Sequence, residues 1–174
     1  MLFETERLFL RPWKKEDDNR VYELAKDPHV GPPCGWTPHK NLKESKAVLR
    51  DILINDYTFA LVLKDTQEVI GNISIMPYSE SRFAQNDKQA EVGFWLGYPY
   101  WGNGYMVEAC NRIIAYGLEE LKLEKIWCAH DVKNHNSMRV QQKCGFIFDH
   151  DEMISSKGEE YLLKVSCVKK DERG

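Results

Sequence analysis

Between Gln89 and Val132 the chain reads as a strand, a glycine turn, a long helix and a second strand, an order that few folds of this size accommodate. The run QAEVGFWL (89–96) is apolar, and GYPYWGNG (97–104) holds three glycines and a proline. From there Met106, Val107, Cys110, Ile113, Ile114, Gly117, Leu118 and Leu121 recur at helical spacing. KIWCAHDV (125–132) is strand-like again. Such a unit closes as a right-handed crossover whose two strands are parallel and adjacent. Its helix N-terminus opens at the carboxyl end of the first strand. Unpaired N–H groups and about half a positive charge of helix dipole can hold an anion there. Gly102 and Gly104 permit unusual dihedrals and close approach of a phosphate, although two such glycines also serve a plain sharp turn. A P-loop lysine is missing, and Val107 stands where a dinucleotide fingerprint needs its third glycine. What remains is a phosphate site without lysine or metal.

The flanking segments extend this into a mixed α/β order. Residues 7–11 alternate as a strand, KKEDDNRVYELAK (14–26) opens a helix with acids, and 40–55 recovers helical spacing through Leu42, Val48, Leu49, Ile52 and Leu53. Between these helices, 27–39 holds four of the seven prolines together with Trp36 and His39, and reads as a long loop. YTFALVL (57–63) and VIGNISIM (69–76) predict a hairpin. The polar segment 77–88 leads into the strand at 89–96. NSMRVQQKC (136–144) predicts a short helix closed by Gly145, and the remainder a hairpin about SSKG.

A length of 174 residues suits one domain over 1–174. The formal charge of −3, from 24 basic and 27 acidic residues, leaves no basic excess for a nucleic-acid backbone. The five cysteines lack a CxxC pair and suit reduced thiols, and the five histidines show no metal-ligand spacing. The N-terminal run MLFETERLFLRPW is broken by charges and no apolar run approaches a bilayer's width. A cytoplasmic protein with no membrane partner is the expectation, either monomer or homodimer.

TERLFLRPW, AEVGFWLG, YWGNGYMVEA and NHNSMRVQQKCGF, in that order, resemble the GNAT acetyltransferases, in particular the branch that holds the ribosomal-protein N-terminal acetyltransferases. The resemblance covers nearly the whole chain. It implies an α/β GNAT fold: a mixed, mostly antiparallel sheet whose central parallel strand pair splays to admit acetyl-CoA. It further implies that Gly102, Asn103, Gly104, Tyr105 and Met106 bind the pyrophosphate of coenzyme A. Phe94, Trp95 and Leu96 would run beside the pantetheine arm, Asn134 would contact that arm, and Ser137 would stand near the thioester sulfur. The superfamily's loop is commonly Gln/Arg-x-x-Gly-x-Gly/Ala; Trp101 and Met106 depart from it, which touches the fit of the loop but not its backbone donors. The implied activity is acetyl transfer to a primary amine, with an α-amino group favoured and a small-amine or antibiotic acceptor as the alternative. A shell that binds acyl-CoA without turnover is the reading from another class.

Many members carry a tyrosine that protonates the departing thiolate, where Gln141 stands here. Ser137 is therefore the candidate for that role, and a helix N-cap is its structural alternative. Glu91, a carboxylate in an apolar strand, suits a general base acting through water, or pairing with an arginine such as Arg11 or Arg82. His130 and Asp131, ending the next strand, are a proton-relay pair or a structural one. Trp36 and His39 are the candidate acceptor contacts; packing of their loop is the alternative. Tyr100 and Trp101 cover the cofactor or pack on the helix.

Overall fold

The computed structural model describes residues 1–172. Its strands pair in one mixed sheet in the order β1-β2-β3-β4-β5-β6-β8-β7, and four α-helices accompany them. The strands are β1 (Phe3–Glu4), β2 (Leu8–Pro12), β3 (Thr58–Leu63), β4 (Val69–Pro77), β5 (Gln89–Leu96), β6 (Lys125–Asp131), β7 (Ile147–Ser156) and β8 (Glu159–Lys169). The helices are α1 (Asp18–Ala25), α2 (Leu42–Val48), α3 (Tyr105–Ala115) and α4 (His135–Lys143). The expected order of elements is present, with β1 added ahead of it. The chain divides into two compact units, one of Met1–Ser74 with Phe94–Arg112, the other of Ile75–Gly93 with Ile113–Gly174.

In the first unit β2 lies antiparallel to β3, from Leu8↔Leu63 to Pro12↔Phe59, and β3 antiparallel to β4. Every residue of β3 is buried, so its uninterrupted apolar run follows from cover on both faces. Trp13, Val21, Leu24, Leu49, Leu53 and Val62 form the core here, with Trp36, Trp95 and Tyr100 packed on its rim. Asn41 caps α2 by accepting from the Glu44 N–H at 2.9 Å, and the Glu44 carboxylate returns to the Lys40 N–H at 2.7 Å.

In the second unit β5 and β6 are the parallel pair, in register from Gln89↔Lys125 to Glu91↔Trp127. β6 pairs antiparallel with β8, and β8 with β7. Phe83, Trp127, Val165 and Cys167 cluster here, and the Trp127 indole donates to Gln89 Oε1 at 2.8 Å. Gly117 is a close-packing glycine: a Cβ there would stand 2.7 Å from Ile126 and 2.9 Å from Ile75.

Two helices run on into wide turns that helical spacing did not predict. After α2 the Ile54 N–H reaches Leu49 O at 2.9 Å, and after α3 the Leu121 N–H reaches Tyr116 O at 3.0 Å, both five residues back. One extra residue per turn rotates the apolar stripe. Ile52 and Leu121, expected on the buried faces, are 61% and 45% exposed, while Leu53 and Leu123 are buried.

Candidate active site

The loop ahead of α3 lies wholly in the first unit. Gly102 and Gly104 have φ of 79° and 80°, the left-handed region where a side chain is strained. Space is not what demands glycine: a Cβ at Gly102 meets nothing within 4 Å, and one at Gly104 meets only Arg7 Nη2 at 3.5 Å. Gly104 O accepts the first helical bond, from the Glu108 N–H at 3.1 Å. The N–H groups of the first turn have no acceptor within the helix. Asn103 closes the loop on itself, its Nδ2 donating to Tyr100 O at 3.1 Å and Trp101 O at 3.2 Å.

Arg7, which the sequence reading passed over, braces this loop. Its Nη1 donates to Asn103 O at 2.9 Å, its Nε to Glu108 Oε1 at 2.9 Å, and its guanidinium lies 4.4 Å from the centre of the Tyr105 ring. Its only sequence signal is membership of the TERL segment. Tyr100 and Trp101 are both engaged with the protein. The Tyr100 hydroxyl accepts from Arg20 Nη2 at 2.5 Å, and the Trp101 indole donates to Leu96 O at 2.8 Å. Trp95, on β5 beside Phe94 and Leu96, sends its ring to Trp13 at 6.1 Å and Trp36 at 5.9 Å.

Trp36 keeps part of its surface exposed, whereas His39 is buried with Nδ1 2.8 Å from Ser45 Oγ. Burial pushes the His39 imidazole below the ordinary histidine range, opposed by Glu44. The ring of His39 is thereby committed to α2.

The second unit holds the candidate acid–base groups. Glu91 is paired, but among the described residues no arginine side chain is its partner: its Oε2 accepts from Ser81 Oγ at 2.9 Å and from the Arg82 backbone N–H at 2.8 Å. Arg11, the other expected partner, is spent on a two-pronged pair with Asp17, both bonds at 2.9 Å. Both bonds fall on Oε2.

On α4 the cap is Asn134, whose Oδ1 accepts from the Ser137 N–H at 3.1 Å. The N-cap alternative for Ser137 is thus corrected, because Ser137 sits three residues inside the cap. Gly145 ends the helix at φ 87°, as expected. The Ser137 hydroxyl accepts from Gln141 Nε2 at 3.1 Å. Burial pushes the His130 imidazole below the ordinary histidine range, opposed by Gln141 and Asp131. Among the described residues no group of His, Cys, Asp and Glu could hold a metal ion, and no helix is long and apolar enough to cross a membrane.

The Acetyltransferase (GNAT) domain family matches residues 7–147. An uncharacterized N-acetyltransferase of Bacillus licheniformis, p20, is 28% identical over 173 residues, covering 92% of this chain and 93% of its own. The crystal structure of a GNAT-family acetyltransferase from Bacillus anthracis superposes with a TM-score of 0.85 at 22% identity, covering 98% and 99% of the two chains. That of a ribosomal-protein-S5-alanine acetyltransferase from Vibrio fischeri gives 0.74 at 20% identity, covering 98% and 97%. With a family match over most of its length and the matching fold, this chain belongs to the GNAT acetyltransferases, enzymes that use acetyl-CoA.

Proposed function

We propose that this enzyme acetylates an α-amino group, at a protein or peptide N-terminus or on a small amino compound. The observation that carries its use of acetyl-CoA is the loop before α3. Two left-handed glycines, open space above Gly102 and the Arg7 guanidinium beside Gly104 fit a pyrophosphate. In this reading the N–H groups from Gly102 to Met106 hold the phosphates. The main chain of Phe94 to Leu96 pairs with the pantetheine arm like an added strand, and Asn134 contacts that arm. Trp36, which is only partly buried, contacts the acceptor.

Acetyl-CoA, when bound, supplies the acetyl group as an activated thioester. Glu91, through a water, takes the proton that the amine sheds as its nitrogen bonds to the acetyl carbon. The C–S bond breaks and sulfur leaves with the electron pair. Ser137 donates a hydrogen bond to that sulfur; a hydroxyl is far less acidic than a thiol, so serine keeps its proton and solvent supplies the one that makes the free thiol.

An α-amine titrates near ~7.7–8.0 and is on the order of a tenth neutral at pH 7, whereas a lysine amine near ~10.4 is neutral in well under ~0.1% of molecules. A carboxylate is a weak base, adequate for the first amine and poor for the second. The test pairs two peptides with acetyl-CoA, one with a free N-terminus and no lysine, the other N-blocked with one lysine, and locates acetate by mass spectrometry. Label on the free N-terminus is expected. Preferential label on the lysine overturns the α-amine reading, and label on neither with rapid turnover of a polyamine or aminoglycoside moves the acceptor to small amines.

A further inference from the structure

Gln141 occupies a place in the second unit where a polar side chain has to be explained. It lies on α4 at 2% exposure, one turn beyond Ser137, to which its Nε2 donates. Buried amides are normally bonded at both ends. Here Gln141 Oε1 and His130 Nδ1 are both buried without a formed protein partner. Yet the Gln141 amide is near enough to the imidazole to influence its titration. A carbonyl oxygen can only accept, and an imidazole nitrogen can donate, so His130 with its proton on Nδ1 is the kind of donor that Gln141 Oε1 lacks.

We propose that Gln141, oriented from behind by His130, is a positioning residue that sets the direction in which the Ser137 hydroxyl donates. The proposal rests on the reading of Ser137 given above. A serine hydroxyl has one proton and two lone pairs. With the Gln141 NH₂ donating to it, one lone pair is used and the proton is left for the departing sulfur. With the amide turned over, Oε1 would accept that proton and the hydroxyl would have none to offer. The two amide orientations have nearly the same shape, so hydrogen-bond partners alone choose between them. An Nδ1–H on His130 selects the orientation with Oε1 toward the ring and NH₂ toward Ser137. In this way a residue that cannot itself act as an acid still serves the leaving group.

Two measurements test this. Nitrogen-15 NMR of the histidine rings in the full chain, with His130 identified by the loss of its signals in His130→Gln, is expected to show the Nδ1–H tautomer. An Nε2–H tautomer overturns the orientation argument without touching Ser137. Thiol release from acetyl-CoA with the free-N-terminus peptide is then measured for Gln141→Glu, Ser137→Ala and the double variant. Ionised glutamate keeps the shape but can only accept, so Gln141→Glu, assayed at a pH where its carboxyl is ionised, is expected to lower kcat about tenfold with KM for acetyl-CoA within about twofold. Its effect is expected to vanish, to within about twofold, when Ser137 is already alanine. Slow Ser137→Ala with wild-type Gln141→Glu rejects the positioning role and leaves the serine reading intact. Wild-type kcat in Ser137→Ala rejects the serine reading itself. An equal loss from Gln141→Glu in both backgrounds means that it acts elsewhere. Gln141→Met, which keeps the volume without a donor or acceptor, replaces Gln141→Glu if the buried carboxylate prevents folding, with a loss of about threefold and the same dependence on Ser137 expected.

Discussion

Arg7 and Glu108 are 101 residues apart in the chain, and the Nε of one stands 2.9 Å from the Oε1 of the other. The second carboxylate oxygen accepts from Thr5 Oγ1 at 2.5 Å and from the Arg7 backbone N–H at 2.9 Å. The TERL segment therefore clasps the first turn of α3 with three bonds to one carboxylate, and Arg7 Nη1 adds a fourth to the loop at Asn103 O. The clasp fixes the loop's backbone before any ligand arrives, so less ordering is required on binding. It also leaves a guanidinium beside Gly104.

The charge of Glu108 makes this clasp depend on pH. Burial raises its carboxyl pKa, but the bonds from Thr5 and Arg7 outweigh that and hold it below the ordinary range. A depressed pKa means stability that is present above the unfolded value near ~4.3 and is lost as pH falls through the folded one. Glu108→Gln should therefore be less stable than the parent at pH 7, by about 1–3 kcal/mol for bonds to a charged group. The difference should shrink as pH drops below about 4. Urea unfolding at pH 7 and pH 3.5 reads both values; an equal gap at the two would mean that the ionised carboxylate is not what holds the clasp.

Little of that clasp was legible in the sequence, and the reason is separation. Periodicity, turn residues and caps are local signals, and they located the hairpin of β3 and β4, the crossover through α3 and the Gly145 stop. Nothing local ties Arg7 to Glu108, or Ser81 to Glu91, so those partners had to be seen in space. The wide turns after α2 and α3 were hidden for another reason: periodicity assumes a constant pitch, and one added residue moved Ile52 and Leu121 to the surface. On α4 the residue types were read correctly but the start was not. Asn134 and Ser137 are both good caps by type, and only the backbone reveals that the asparagine takes the role.

The loop itself predicts how binding fails. Gly104→Glu places a side chain at a φ of 80°, where an L residue costs about 1–2 kcal/mol, and a negative charge where phosphates are proposed to sit. Coenzyme A binding should become undetectable by calorimetry without added metal. Gly102→Ala carries the same backbone strain with no clash within 4 Å, so it should weaken binding by about thirtyfold at most, the strain being about 1–2 kcal/mol. Unchanged affinity in Gly104→Glu would remove the phosphates from this loop.

Ser137 is the residue for which structure and chemistry are hardest to separate, so its test relies on a split between kinetic constants. Its N–H is held by the Asn134 cap and its hydroxyl by Gln141. Removing the hydroxyl strands a buried amide donor, which costs stability whether or not the serine takes part in the reaction. A lowered melting temperature in Ser137→Ala therefore decides nothing. What a hydrogen bond to the departing sulfur predicts is a kcat lower by about ten- to a hundredfold, at or below the low end of a positioned acid's ~10²–10⁴, because a thiolate with a pKa near ~8.5 leaves tolerably unaided. Affinity for coenzyme A should stay within about twofold, since the cradle lies in the loop before α3. Ser137→Thr restores a hydroxyl at the same Cβ and should recover most of the rate, whereas a side chain needed only for packing would be served as well by alanine once the fold is intact. A kcat that survives in Ser137→Ala while stability falls would assign this serine to the architecture of α4 alone.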